Sequence, residues 1–283
     1  MLFSKTGGTI ELGVGLSWRP EFARDVHKLV GKLDFLEIIV DEWGGHLLTE
    51  NCERILGKLP TVLHSATCSL GSTYPGDATT AILSSLCDHL EPRWVTEHIS
   101  YSQAGEYEVN NFLPVRYEDD SAVQLAANTN ALSRQLAGRR VALENTCYFF
   151  NHPGSAISEK EFLIKLACNK VPIMLDINNL YVNSCNFRYD PMEFIRLIGD
   201  ACEVAYLHVA GHRESGGWLL DSHDVAVSDV VWDLALEAIK LTSAEGIVIE
   251  RDHNSASIQE IQCEIERARS VWTEGRQSRE SKS

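Results

Sequence analysis

The chain has 283 residues, 44% of them hydrophobic and 23% charged, which is enough to enclose one large core, and its formal net charge is −15. That charge excludes a surface built to coat DNA or RNA, which carries a basic face; it suits an enzyme whose substrate or partner has a basic segment. The opening MLFSKTGGTI lacks the apolar centre of a secretory signal, and no apolar run approaches a membrane span.

Taken in order, short aliphatic stretches at 13–16, 35–40, 61–64, 94–98, 141–144, 173–176, 204–208 and 246–250 read as strands. They do not alternate polar with apolar, as expected of strands buried on both faces of a parallel sheet. Amphipathic stretches at 19–31, 51–58, 79–90, 120–137, 158–169, 191–199, 228–242 and 257–272 read as helices. Ser158 with Glu161 forms a capping box, and Pro191 follows Asp190 as a start signal. Eight strands alternating with eight helices predict a single (β/α)8 barrel over 1–273, with a polar, fraying tail at 274–283. An open doubly wound sheet is the alternative that pattern alone leaves. Neither Gly7-Gly8 nor Gly13-x-Gly15 has the spacing of a phosphate-binding loop. The eight cysteines, at 52, 68, 87, 147, 168, 185, 202 and 263, form no CxxC pair, so a reducing cytoplasm is expected. Cys68 and Cys147 lie near the candidate ligands.

A barrel of this kind builds its active site at the C-terminal ends of its strands. Those ends carry His64, His98, Glu144, Asp176 with Asn179 close behind, His208 and Glu250; the loop after the seventh strand adds Asp221 and His223. Asp221 and His223, two apart in an extended segment, would project to one side. Six consecutive strands each deliver a His, Asp or Glu to one edge, where charged groups must be paired or solvated, and this points to a metal centre. Imidazoles and carboxylates without thiolates suit iron, manganese or zinc. Nine ligands are too many for one ion and fit two or three sharing a carboxylate, for which Glu144, mid-series, is the candidate. The expected groups are His64, His98 and Glu144; Glu144, Asp176, His208 and Glu250; and Asn179, Asp221 and His223. Asp252 is a candidate general base and His212 a candidate for orienting substrate. Asn145 and Asn178 read as hydrogen-bonding supports and Arg116 as a surface arginine. Trp43, Tyr148 and Trp218 read as strand-end aromatics that wall the pocket or pack.

The series LHS, EHIS, LENT, LDINN, LHVAGH, LDSHD and IERD, running from about Gly13 to Asp252, resembles the multinuclear non-haem iron-dependent oxidases. It also looks like the xylose-isomerase-like barrels, among which endonuclease IV has a His where this chain has Asn179. The resemblance implies a xylose-isomerase-like barrel holding two or three irons of mixed ferrous and ferric state, with O2 as co-substrate. It further implies oxidation of a cysteine in a ribosomally made precursor peptide, with a separate small leader-recognising protein as partner. The alternative is a metal-dependent hydrolase or isomerase of the xylose-isomerase or endonuclease IV kind.

Overall fold

The computed structural model describes residues 11–19, 26–43, 55–73, 77–104, 107–252 and 256–281. Eight parallel strands form a closed barrel: β1 (Gly13–Trp18), β2 (Phe35–Ile39), β3 (Thr61–Ser65), β4 (Val95–His98), β7 (Val141–Glu144), β8 (Ile173–Asp176), β9 (Val204–Val209) and β12 (Gly246–Ile249). The ring closes where β1 pairs with β12, Gly13 opposite Gly246 and Leu16 opposite Ile249. Closure decides between the two architectures that the alternating pattern allowed. Every residue of these strands is buried, one side chain facing the barrel axis and the next facing the helices, which is why the segments read as unbroken apolar runs.

The axis-facing side chains make a separate plug of Phe35, Val62, Trp94, Ala142, Met174, Tyr206 and Val248. Gly15 is required here: a Cβ at that position would lie 2.6 Å from the Phe35 ring. The plug fills the lower barrel, so the polar residues above it sit on a solid apolar floor. At the N-terminal face Glu245 accepts from Arg93, Trp94 Nε1 and Arg140, tying three strands' ends together.

Helices α1 (Val40–Trp43), α2 (Asp77–Leu90), α3 (Asp119–Gln135), α4 (Glu159–Cys168), α6 (Pro191–Ala201), α7 (Asp229–Leu241) and α8 (Ile258–Glu280) surround the strands. The 158/161 capping box and the Asp190 cap, whose side chain accepts from Met192 N, are both present. An eleven-residue helix, α5 (Ile177–Phe187), starts directly from the end of β8, with Asp176 as its cap; the sequence reading left this stretch without a helix. Two antiparallel hairpins, β5–β6 (Ser100–Ala104 and Tyr107–Pro114) and β10–β11 (His212–Ser215 and Trp218–Asp221), were also not anticipated. The second turns on Gly216 and Gly217, both at positive φ.

The C-terminal residues do not fray as expected: α8 runs to Glu280, with Gly275 packed on Ile239 and Arg279 donating to the Thr242 and Ala244 carbonyls. Those contacts come from polar side chains and a glycine, so hydropathy did not reveal them. Between β1 and β2 the described residues hold a short 3-10 turn at Val26–Lys28. Residues 20–25, 44–54 and the Trp43 side chain, on which parts of the first two helix expectations and Cys52 fall, lie outside the described residues. Among the described residues no helix is long and apolar enough to cross a membrane.

Candidate metal centre

Glu144, the last residue of β7, stands at the middle of the barrel mouth. Its Oε2 lies 3.3 Å from His64 Nε2 and 3.1 Å from His98 Nε2, and its Oε1 lies 3.7 Å from His208 Nδ1. His208 Nδ1 is in turn 3.8 Å from Asp176 Oδ2 and 3.3 Å from Glu250 Oε2. On the far side of Glu250, its Oε1 is 3.6 Å from His223 Nδ1, and Asp252 Oδ1 is 3.7 Å from the same nitrogen. Three groups whose ligand atoms all lie within 4.8 Å of one another result: His64, His98 and Glu144; Glu144, Asp176 and His208; and His223, Glu250 and Asp252.

Counting protons shows what these atoms face. The Tyr206 hydroxyl donates its one proton to Glu37 at 2.7 Å, so it accepts from Thr96 Oγ1 at 2.9 Å, and Thr96 must accept from His64 Nδ1 at 2.8 Å. His64 Nε2 therefore turns a lone pair toward the Glu144 oxygen. His208 Nε2 donates to Glu37 at 2.8 Å, which leaves the Nδ1 lone pair facing three carboxylates. His98 Nδ1 donates to the Ser65 carbonyl at 3.3 Å and likewise turns Nε2 to Glu144. A buried lone pair facing a buried carboxylate is repelled unless a cation, or a proton standing in its place, lies between them. Consistent with this, Glu144 Oε2, Asp176 Oδ2, Asn179 Oδ1 and His208 Nδ1 are buried with no hydrogen-bond partner among the described residues. The residues present fit bound metal ions of nitrogen- and oxygen-loving character.

The electrostatics express the same crowding. Burial, with Glu144 and Asp221 beside it, holds the Asp176 carboxyl well above the usual range. Burial pulls His98 and His208 down, but the carboxylates outweigh it: Glu144 and Glu97 raise His98 to about 9, and Glu37, Glu144 and Glu250 raise His208 well above an ordinary histidine. Without a metal, a proton takes the cation's place on each. Burial and the neighbouring His98 and His208 push His64 well below an ordinary histidine.

The remaining sequence candidates are placed as follows. Asp221 Oδ1 lies 2.7 Å from His223 Nε2 and accepts from Asn178 Nδ2 at 2.6 Å. Asn179 lines the same cavity, its Nδ2 bound to the Asn145 carbonyl, while its backbone N–H donates to Asp176 at 2.6 Å. The third convergent group thus draws Glu250 and Asp252 to His223, with Asp221 against its other nitrogen. His223 is not in an extended segment: its φ is +51°, a left-handed conformation costly for a non-glycine residue. Its N–H bonds the Gly211 carbonyl at 2.9 Å and its carbonyl accepts from Asp252 N at 3.0 Å, which hold it there. His212 does not reach the cavity; its Nδ1 contacts Asn178 Oδ1 at 2.8 Å, one step behind Asp221. Asn145 exchanges hydrogen bonds with the Asp176 backbone, and exposed Arg116 pairs with Glu118. Cys68 is buried below the mouth, its thiol pushed well up by burial, whereas Cys147 lines the cavity with a thiol at about 12.

Sequence reasoning missed the supports. Glu37 is fully buried within the apolar run FLEII; a lone acid inside a buried strand was the signal. Arg19, one residue past β1 at the same edge as the ligands, inserts a buried guanidinium 2.8 Å from Glu250 and 2.7 Å from Asp252, and also pairs with Glu42.

The cavity above the clusters measures about 440 Å3. Phe112 of β6 stacks on His98 at 4.1 Å, and Phe112, Leu113, Phe149, Phe150 and Trp218 form an exposed apolar border.

A family model described as "RiPP precursor modification enzyme MbnB/TglH/ChrH" matches residues 13–273. A UPF0276 protein of Caulobacter vibrioides is 29% identical over 270 residues, covering 93% of this chain and 95% of its own. One from Neisseria gonorrhoeae is 31% identical over 262 residues, covering 89% and 92%. Among solved structures, a mannonate dehydratase from Streptococcus suis serotype2 superposes with TM-score 0.63 at 9% identity, covering 94% of this chain and 95% of its own. A D-tagatose 3-epimerase-like protein gives 0.59 at 14%, covering 95% and 99%. At such identities the structural likeness establishes the (β/α)8 barrel fold and nothing of the chemistry. By the family match over nearly its whole length, the chain belongs to the MbnB/TglH/ChrH family of RiPP precursor modification enzymes.

Proposed function

We propose that this enzyme is a multinuclear iron-dependent, O2-using oxidase that modifies a cysteine of a ribosomally made precursor peptide. A small, separate leader-binding protein is its proposed partner. The observation that carries the reading is the run of three His/carboxylate groups, linked through Glu144 and Glu250, at the floor of an open cavity with an apolar border. A sugar-sized substrate needs no such border, whereas a peptide drawn across the mouth buries it. The seven described cysteines are all free, which suits a reducing cytoplasm.

Bound iron with O2 would supply the redox chemistry. His64 and His98 with Glu144 would hold one ion, Asp176 and His208 with Glu144 a second, and His223 with Glu250 a third, Asp221, Asn179 and Asp252 being at hand. The chain's own work is to orient the ligands and to supply a proton acceptor. Glu37 and the Thr96–Tyr206 pair lock His208 and His64 in the tautomers that present lone pairs. Asp252, half-buried at the cavity wall with its Oδ1 held by Arg19, would take a proton from bound substrate at its other carboxylate oxygen, Oδ2.

The test is iron content and Mössbauer spectroscopy on protein purified without added metal, beside a Glu144→Gln variant. Coupled irons, two or more per chain, lost or uncoupled in the variant, together with O2 consumption on a cysteine-bearing precursor peptide, are expected. Zinc or manganese alone, with no O2 consumption, would overturn the proposal in favour of a hydrolase or isomerase.

A further inference from the structure

A second cavity, about 620 Å3, opens beside the metal centre between the loop after β7 and the α5–α6 turn. Tyr148 lines both cavities, so the two are neighbours across one side chain. Its walls are aromatic: Tyr117, Tyr148, Phe187, Tyr189 and Phe194. Tyr148 and Phe187 meet at 4.7 Å and Tyr189 stacks on Phe194 at 6.0 Å, so the rings are braced against each other. Of the carboxyl groups lining it, that of Glu159 is buried, the residue being only 6% exposed, with the Tyr148 hydroxyl donating to it at 3.3 Å.

An acid buried among aromatic rings is costly to keep and contributes nothing to the metal centre. Faces of tyrosine and phenylalanine carry negative potential, and a carboxylate at their centre completes the recognition set for an organic cation. The border adds to this: Glu161, Asp190 and Glu193 outnumber Lys160, which is already paired to Glu193 at 2.6 Å. His152 is the other titratable group lining the cavity, its Nδ1 accepting from Gly154 N. The chain's net charge of −15 draws basic ligands toward it.

We infer that this cavity binds a basic side chain, a guanidinium or alkylammonium, of the peptide substrate and so sets which residue near the reacting cysteine is accepted. The inference rests on the proposed peptide-modifying role, but its test does not. Burial raises Glu159 to about 8, against the opposing pull of the hydrogen bond from the Tyr148 hydroxyl. A cation entering the cavity must therefore ionise Glu159 and release its proton. Tyr117, Tyr148 and Tyr189, raised by burial, stay neutral throughout.

Nα-acetyl-arginine methylamide is titrated into the full chain by ligand-observed NMR, with the norleucine analogue as the neutral probe. Arginine-probe affinity should rise about tenfold from pH 7 to pH 9, as Glu159 ionises, because arginine keeps its charge throughout. Glu159→Gln should abolish that rise and weaken binding at pH 9 at least tenfold, with metal content and melting temperature showing that the variant is folded. A norleucine probe that binds equally well, a pH-independent arginine affinity, or no binding of either probe would overturn the inference. None of these outcomes depends on iron or turnover, so failure of the oxidase reading would register separately.

Discussion

Tyr206→Phe removes one oxygen from the fully buried floor of the metal centre, leaves the ring in the apolar plug, and changes no ligand. Two hydrogen bonds go: one to the Glu37 carboxylate at 2.7 Å and one from Thr96 at 2.9 Å. Glu37 then keeps the hydrogen bond from His208, and Thr96 a weak 3.4 Å contact to the Leu63 carbonyl. A buried bond to a charged group contributes about 1.5–3 kcal/mol and a neutral one about 1 kcal/mol, so the variant should lose about 2–4 kcal/mol. For a chain of this size that lowers Tm by roughly 3–7 °C. Because His64 and His208 owe their tautomers to this chain of bonds, metal affinity should fall about 10–100-fold with the stoichiometry at saturation unchanged. Thermal unfolding of metal-free protein and a competitive chelator titration measure the two effects. A variant melting within about 1 °C of wild type and binding metal equally well would refute the claim that this network presents the imidazoles.

Glu159 predicts a pH dependence of stability. Its folded pKa of about 8 lies above the ordinary 4.5, so the folded state holds a proton that the unfolded state has lost, and stability falls as pH rises from 4.5 through 8. The difference amounts to at most about 5 kcal/mol; Glu159→Gln should melt with wild type at pH 5 and clearly above it at pH 9, as scanning calorimetry would show. Glu245→Ala, at the opposite face, should cost about 2–4 kcal/mol by stranding Arg93, Trp94 and Arg140; metal content per chain should stay at the wild-type value, and a loss would contradict the separation of the two faces. Gly211→Ala would place a Cβ 2.0 Å from the Val225 carbonyl oxygen, forcing apart the loop that bonds His223. It should remove the metal at His223 while sparing those at Glu144; uniform loss of all metal, or none, in a stoichiometry assay would count against that arrangement.

All eight barrel strands were legible in the sequence because strands buried on both faces are short aliphatic runs whatever they pack against. The same regularity made the residues at their ends stand out: His64, His98, Glu144, Asp176, His208 and Glu250 each interrupt an apolar stretch at its final position, and the closed barrel gathers them at one mouth. Family membership followed from the same motifs. What the linear pattern could not carry was how separate strands meet. Barrel closure depends on Gly13 of β1 lying opposite Gly246 of β12, at the other end of the chain. The Glu37–Tyr206–Thr96 support joins β2, β9 and β4, so no local spacing encodes it. Helix α5 escaped the reading because its inward face carries asparagines, Asn178, Asn179 and Asn183, bonded to the loops of the site instead of to aliphatic partners. The left-handed turn at His223 and the aromatic cavity around Glu159 are likewise products of packing. Local sequence determines where the chain is apolar and where a polar group ends a strand; the positions of those groups relative to one another, to within the few tenths of an ångström that ligation needs, are decided only when distant segments close against each other.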